Sequence, residues 1–230
     1  MGCGSSASAR ATDAVGKPIV TLTGISGYLG SLTCLEFIKD GGYRVRGTVR
    51  DKDNQEKLAP LRAAFGAHFD KLELVNADLL DEQSLITAIK GSTYVVHLAS
   101  PFFSSQDEDV LVRPAVEGTT AVMKACQLAG VRRCVVTSSC ASIFNVASTD
   151  KPADGIFTEA HWSNPDRPEG IDAYSKSKTL AEKAAWDFQA ALPADKRFEV
   201  VTINPGFVMG PPLSKQSGTS IGYITSLMTG

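Results

Sequence analysis

Lys17-Pro18-Ile19-Val20-Thr21-Leu22-Thr23-Gly24-Ile25-Ser26-Gly27-Tyr28-Leu29-Gly30 is the stretch on which the fold turns. A short β-branched run closes on glycines, and residues 28–39 then show helical spacing through Leu32, Leu35, Phe37 and Ile38. The segment reads as strand, tight turn and helix. Its turn is a T-G-x-x-G-x-x-G: Gly24 permits the sharp bend, Gly27 removes a side chain where backbone meets phosphate, and Gly30 lets helix and strand pack closely. The helix N-terminus adds unpaired N–H groups and a positive dipole end. A strand before and a helix after distinguish this loop from an ordinary Gly-rich turn and point to a dinucleotide site. Thr23, Gly24, Ser26, Gly27, Tyr28, Leu29 and Gly30 are its candidate cofactor contacts.

Outward from this unit the same alternation continues. Strands are expected at 43–49, 72–75, 94–98, 134–137 and 199–203, and helices at 54–65, 84–89, 110–129 and 173–191. Parallel strands need long crossovers, and right-handed crossovers lay helices on both faces, so the expected architecture is α/β, a doubly wound parallel sheet of Rossmann type in a single domain. Ligands in such sheets bind beyond the carboxyl ends of the strands. The segment 145–171, rich in Pro, Gly and Asp, is a long loop, functional or mobile, in this reading.

Composition is that of a soluble globular domain: of 230 residues 43% are hydrophobic and 21% charged. With 23 basic and 25 acidic residues there is no positive field for a phosphate backbone, so nucleic acid is excluded as a partner. Five cysteines without a C-x-x-C pair or a zinc-spaced histidine read as reduced intracellular thiols, and no metal site is expected. No apolar run is long enough to span a bilayer. No feature specifies an oligomer.

After the second strand stands Thr48-Val49-Arg50-Asp51. An acid there accepts the ribose hydroxyls of NAD, whereas a basic residue accommodates the 2′-phosphate of NADP, so Arg50 points to NADP(H). Farther along, Tyr174-Ser175-Lys176-Ser177-Lys178 opens a helical stretch with Tyr and Lys four apart on one face. A phenol is a poor acid or base at neutral pH, and the Lys178 ammonium is expected to lower the Tyr174 pKa. Carbonyl reduction needs such a proton donor, together with a hydroxyl to orient the carbonyl oxygen. Ser138 and Ser139, at the end of the fifth strand, both qualify.

The glycine loop, Thr48-Val49-Arg50-Asp51, Ala77-Asp78-Leu79, Thr137-Ser138-Ser139 and Tyr174-x-x-x-Lys178-Thr179-Leu180-Ala181-Glu182 together resemble extended short-chain dehydrogenases/reductases. Within them the likeness is to dihydroflavonol-4-reductase-like enzymes, including cinnamoyl-CoA reductases and fungal aldehyde/ketone reductases, from about Pro18 onward. The resemblance implies Ser139, Tyr174 and Lys178 as the catalytic residues. It further implies adenine near Asp78 and Leu79, the middle of the cofactor near Ala99, Ser100 and Pro101, and the nicotinamide near Asn204-Pro205-Gly206. Phe144 stands where flavonoid reductases typically carry a polar substrate contact, so a flavonoid substrate is not expected. His97 reads as a satisfied core histidine, Cys140 as a small packing residue and Trp162 as a loop anchor.

The family usually continues for about a hundred further residues in a substrate lobe, so the expected organisation is a leader at 1–17, an NADP(H)-binding domain at 18–212 and the start of a truncated lobe at 213–230. The leader begins Met1-Gly2-Cys3-Gly4-Ser5-Ser6, a pattern for myristoylation at Gly2 with Cys3 beside it for palmitoylation. It reads equally as a disordered Ser/Ala-rich segment or a misplaced start. The expected location is cytoplasmic, with acylation placing the chain at a membrane surface in the first case. The expected function is NADPH-dependent reduction of a small-molecule aldehyde or ketone. Two alternatives stand beside it, an NAD-dependent nucleotide-sugar epimerase or dehydratase and a non-catalytic NADP(H)-binding module at a membrane.

Overall fold

A computed structural model describes residues 16–100, 108–144, 152–166, 171–213 and 219–229. The acylation pattern at Gly2 and Cys3 and the candidate Pro101 lie outside these residues. In chain order the elements are β1 (Ile19–Thr23), α1 (Tyr28–Asp40), β2 (Arg44–Val49), α2 (Gln55–Phe65), β3 (Leu72–Asn76) and α3 (Glu82–Ile89), followed by β4 (Tyr94–His97), α4 (Glu108–Ala129), β5 (Arg133–Thr137), α5 (Ala173–Ala191), β6 (Glu199–Ile203) and α6 (Thr219–Thr229). The expected strands and helices are present, with ends moved by one or two residues. Capping explains one shift: the Asp81 carboxylate accepts the Ser84 N–H, so α3 begins at Glu82 rather than Ser84. Short 3-10 turns at Gly66–Lys71, Cys140–Ser142 and Ala194–Lys196 had no counterpart in the sequence reading, because so few residues show no period.

The six strands form one parallel sheet in the order β3-β2-β1-β4-β5-β6. The chain winds outward from β1 to β3, then returns to lay β4 against the other side of β1. Strand order therefore reverses between β1 and β4, and the crevice beyond their carboxyl ends is where this topology places a ligand.

As helices on both faces require, the sheet separates two buried layers. One face carries Val20, Leu22, Val45 and Val49 under Leu35, Ile38, Leu58 and Phe65 of α1 and α2. The other carries Val95, Cys134, Val136 and Val200 under Leu85, Ile89, Val122, Met123 and Ala185 of α3, α4 and α5. Alternation along each strand supplies both layers. Each fully buried aliphatic side chain, Leu22 and Ile89 among them, contributes about 1.5–3 kcal/mol. No described helix is long and apolar enough to cross a membrane.

Candidate functional site

The glycine loop lies at the topological switch. Gly24 has φ +71, and a Cβ there would lie 2.8 Å from the Ala99 Cα, so the loop touches the turn after β4 backbone to backbone. A Cβ on Gly30 would lie 2.2 Å from the Gly24 carbonyl oxygen. Between them Ile25 is fully buried and pins the loop into the core above Gly47 of β2, where an added Cβ would meet the Ile25 Cδ1 at 2.4 Å. Gly27 caps α1 in extended backbone without a side-chain hydrogen bond. The N–H groups at Tyr28, Leu29 and Gly30 thus open α1 with no side chain competing for them. An added Cβ at Gly27 would meet only the Gly24 carbonyl, at 3.4 Å. That open cradle fits a pyrophosphate.

The other described candidates for cofactor contact differ in their surroundings. Arg50 is exposed just after β2, and no hydrogen bond or ion pair among the described residues engages its guanidinium. It is not tied to Asp51, whose Oδ1 accepts the Asp53 N–H instead. Asp78 follows β3, with its Oδ1 accepting the Leu80 N–H, and Leu79 packs against Gly118 of α4. Ser26 is exposed, and the Tyr28 hydroxyl donates to the Gly210 carbonyl at 2.8 Å, linking α1 to the segment after β6. Thr23 differs from the other loop residues. Its hydroxyl oxygen accepts the Leu98 and Ala99 N–H groups at 3.2 and 3.1 Å and lies 2.8 Å from the His97 Nδ1, so it faces the protein interior.

With two donors already on the Thr23 oxygen, its proton goes to the His97 Nδ1, which leaves the His97 Nε2 protonated and directed at Thr119, 3.5 Å away. Burial, helped by the charge of Lys178, lowers the His97 pKa to about 4. His97 is the satisfied core histidine expected from the sequence.

The predicted catalytic side chains lie at the ends of β5 and α5. The Asp172 side chain caps α5 by accepting the Ser175 N–H at 2.9 Å and its hydroxyl at 2.6 Å. This places Tyr174 on the first helical turn and Lys178 on the second. The Ser139 hydroxyl, buried where β5 ends, donates to the Tyr174 oxygen, and the Lys178 ammonium lies 5.8 Å from the Tyr174 ring centroid. Lys178 also donates to the Ser100 Oγ at 3.2 Å. Ser138 instead turns inward, donating to the Ser142 Oγ at 3.2 Å. Of the two serines, Ser139 is the one that meets Tyr174.

One electrostatic expectation is corrected. Lys178 was expected to lower the Tyr174 pKa, but that pKa is raised: burial dominates, the Ser139 hydrogen bond opposes it, and nearby Cys140 and Asp172 add to the rise. Lys178 is itself so buried that its pKa falls to about 8. At neutral pH the Tyr174 phenol keeps its proton.

Around this group, the Cys140 N–H donates to the Pro205 carbonyl at 2.9 Å, joining the turns after β5 and β6. The Ser163 N–H donates to the Ser142 carbonyl and its hydroxyl to the Ala141 carbonyl, both at 2.8 Å. These bonds fasten segment 152–166 to the site beside Trp162, over whose ring the Lys183 ammonium sits at 5.3 Å. Phe144 packs on Phe157 with centroids 5.4 Å apart. The sequence reading gave no role to Ser142, or to Glu182 beyond its place in the family motif. Glu182, four residues beyond Lys178, is the next residue on the same face of α5, a signal that was available.

A parallel sheet in this strand order with a glycine cradle at the switch defines a short-chain dehydrogenase/reductase fold, and Ser139, Tyr174 and Lys178 lie together beyond β5. Residues 21–220 match the model of the 3-beta hydroxysteroid dehydrogenase/isomerase family, and the chain belongs to that family. It is 37% identical to the dihydroflavonol 4-reductase of Zea mays, over 96% of this chain and 61% of the maize protein. It is equally 37% identical to cinnamoyl-CoA reductase 1 of Petunia hybrida, over 94% of this chain and 62% of that protein. Among solved structures, yeast methylglyoxal/isovaleraldehyde reductase Gre2 complexed with NADPH superposes with a TM-score of 0.76 at 30% identity, covering 91% of this chain and 65% of Gre2. The chain thus spans a little over three fifths of the length of these relatives.

Proposed function

We propose that this chain carries the active site of an NADPH-dependent reductase that converts an aldehyde or ketone to an alcohol. The observation that carries the reading is the Tyr174 phenol, protonated at neutral pH and hydrogen-bonded by Ser139 where β5 ends. The relatives named above are reductases by name, and the Gre2 structure holds NADPH.

In this reading residues 18–212 form the NADP(H)-binding domain, and α6 begins the part that covers the substrate. The α1 N-terminus and the bare Gly27 backbone hold the pyrophosphate, and Arg50 pairs with the 2′-phosphate. Bound NADPH supplies the hydride. Ser139 orients the carbonyl oxygen, and Tyr174 delivers its phenolic proton to that oxygen as negative charge develops there. Lys178, fixed by Ser100, binds the nicotinamide ribose and places positive charge beside the phenolate that remains. The exposed, unpaired Arg50 favours this reading over an NAD-dependent epimerase or dehydratase.

NADPH oxidation with a panel of aldehydes and ketones tests the proposal, comparing the parent chain with Tyr174→Phe. Loss of the proton donor is expected to cost about 10²–10⁴-fold in kcat. Unchanged turnover in Tyr174→Phe overturns the mechanism. Acylation at Gly2 and Cys3 concerns where the chain resides rather than what it does. A Gly2→Ala variant that fractionates between membrane and cytosol like the parent overturns that reading.

A further inference from the structure

Behind the Ser139–Tyr174 contact lies a buried polar cluster that the mechanism does not use. Glu182 is 6% exposed, two helical turns beyond Tyr174 on the same face of α5. Its Oε2 accepts the Ser142 hydroxyl at 2.7 Å and the Asn204 amide at 2.8 Å, and its Oε1 accepts the Trp186 indole N–H at 3.4 Å. Every described partner is a donor, which matches an acceptor-only carboxylate.

Both Oε2 partners converge on the serine turn. Asn204 lies within 3.2 Å of the Ser139 carbonyl and 2.9 Å of the Ser142 Oγ, and the Ser142 Oγ lies 2.8 Å from the same carbonyl. Ser142 has one proton, and its shortest contact is to Glu182, so the Asn204 amide serves the Ser139 carbonyl while Ser142 is held to the carboxylate. Ser138 completes the ring by donating to the Ser142 Oγ at 3.2 Å.

One carboxylate therefore joins three separate elements: α5, which carries Tyr174 and Lys178; the turn after β5, which carries Ser139; and the residue after β6. Burying a carboxylate is costly unless its hydrogen bonds are met, and a partly satisfied cluster is worse than an apolar one. Glycine or alanine packing would join these elements more cheaply, but would leave them free to slide.

We propose that Glu182 is a positioning residue that fixes the Ser139 hydroxyl against the Tyr174 phenol by locking the serine turn and Asn204 onto α5. The inference deepens the reductase reading and rests on it for its catalytic meaning. Its geometric content stands on the Ser142 and Asn204 hydrogen bonds.

The deciding experiment labels the full chain with 3-fluorotyrosine and follows the Tyr174 fluorine resonance, assigned by its loss in Tyr174→Phe. The fluorinated phenol titrates below an ordinary tyrosine, which keeps the measurement away from alkaline unfolding. Tyr174 faces Ser139, Cys140, Asp172 and Lys178, so each variant leaves those side chains in place except where stated. Glu182→Gln, which puts a donor where two donors already point, is expected to move the resonance and raise the titration midpoint in the direction of Ser139→Ala. The expected rise is about one pH unit, the size of one lost hydrogen bond to a charged oxygen. In a Ser139→Ala background Glu182→Gln adds nothing further. Ser142→Ala, which removes one spoke and keeps the carboxylate, moves the midpoint the same way and carries the test if Glu182→Gln does not fold. NADPH affinity stays within about twofold, while kcat falls on the order of tenfold through misplacement of the proton donor.

A midpoint that Glu182→Gln and Ser142→Ala leave unmoved overturns the proposal. So does a shift of equal size with and without Ser139. A parent chain that shows the Glu182-dependent signature but turns over no carbonyl sinks the reductase reading alone.

Discussion

The Lys178 ammonium donates to the Ser100 hydroxyl at 3.2 Å, tying the second turn of α5 to the turn after β4. Burial brings the Lys178 pKa down from 10.5 to about 8. The folded chain therefore holds fewer protons than the unfolded chain between about pH 8 and 10.5, and stability rises with pH through that window. Below pH 8 the full burden of a buried charge is present, about 3 kcal/mol. Lys178→Met is expected to melt above the parent at neutral pH, with the advantage narrowing toward pH 10, while NADPH-dependent turnover is lost. Thermal melts across that pH range check it, and a lower melting temperature at pH 7 would contradict it.

His97 gives the opposite pH signature. Its folded pKa is about 4 against 6.5 unfolded, so the unfolded chain binds the extra proton as pH falls through that window and stability is lost on acidification. The full effect is about 3 kcal/mol, reached near pH 4. His97→Asn, whose side-chain oxygen can still accept the Thr23 hydroxyl, is expected to flatten the fall in melting temperature between pH 6.5 and 5. A variant that acid-destabilises as steeply as the parent would place the sensitivity elsewhere.

How much of this was legible in the sequence depended on the reach of each interaction. The strands and helices follow from local period, and the glycine loop and the Tyr174–Lys178 spacing are complete within a few residues of chain. Ser139 was separable from Ser138 only by the family resemblance, because strand alternation alone does not say which hydroxyl meets a helix arriving more than thirty residues later. The Thr23–His97 bond needs the register that sets these two residues opposite each other on β1 and β4. The Tyr28–Gly210 bond spans 182 residues, and no pattern near either partner announces it. The wrong sign for Tyr174 came from counting the neighbouring charge and not the burial, which only a folded chain displays.

In the proposed reading Arg50 carries the cofactor preference. Exposed, and without an ion pair among the described residues, it has no evident structural duty to lose. Arg50→Asp is expected to leave the melting temperature within about a degree of the parent, as surface changes do. It should weaken NADPH at least about tenfold, worth ~1.4 kcal/mol, while improving NADH. Parallel titrations of the two cofactors by nicotinamide fluorescence measure this. An unchanged ratio of affinities would move 2′-phosphate recognition to another residue.

The two glycines of the cradle separate binding from folding. An alanine Cβ at Gly30 would lie 2.2 Å from the Gly24 carbonyl and 3.2 Å from the Ile25 Cα, both fixed backbone, so α1 must move away from the loop. Gly30→Ala is expected to cost roughly 1–3 kcal/mol of stability, as overpacking does, and to lose NADPH binding with it. At Gly27 the same methyl meets only the Gly24 carbonyl at 3.4 Å, an ordinary contact, and its φ of -78 suits any residue. Gly27→Ala should therefore melt with the parent and still bind NADPH at least about tenfold more weakly, because the methyl occupies the approach of the pyrophosphate to the α1 amides. Melting curves and NADPH titrations on the two variants check both halves. Normal NADPH affinity in Gly27→Ala would remove the pyrophosphate from this loop, and with it the placement of the nicotinamide beside Tyr174.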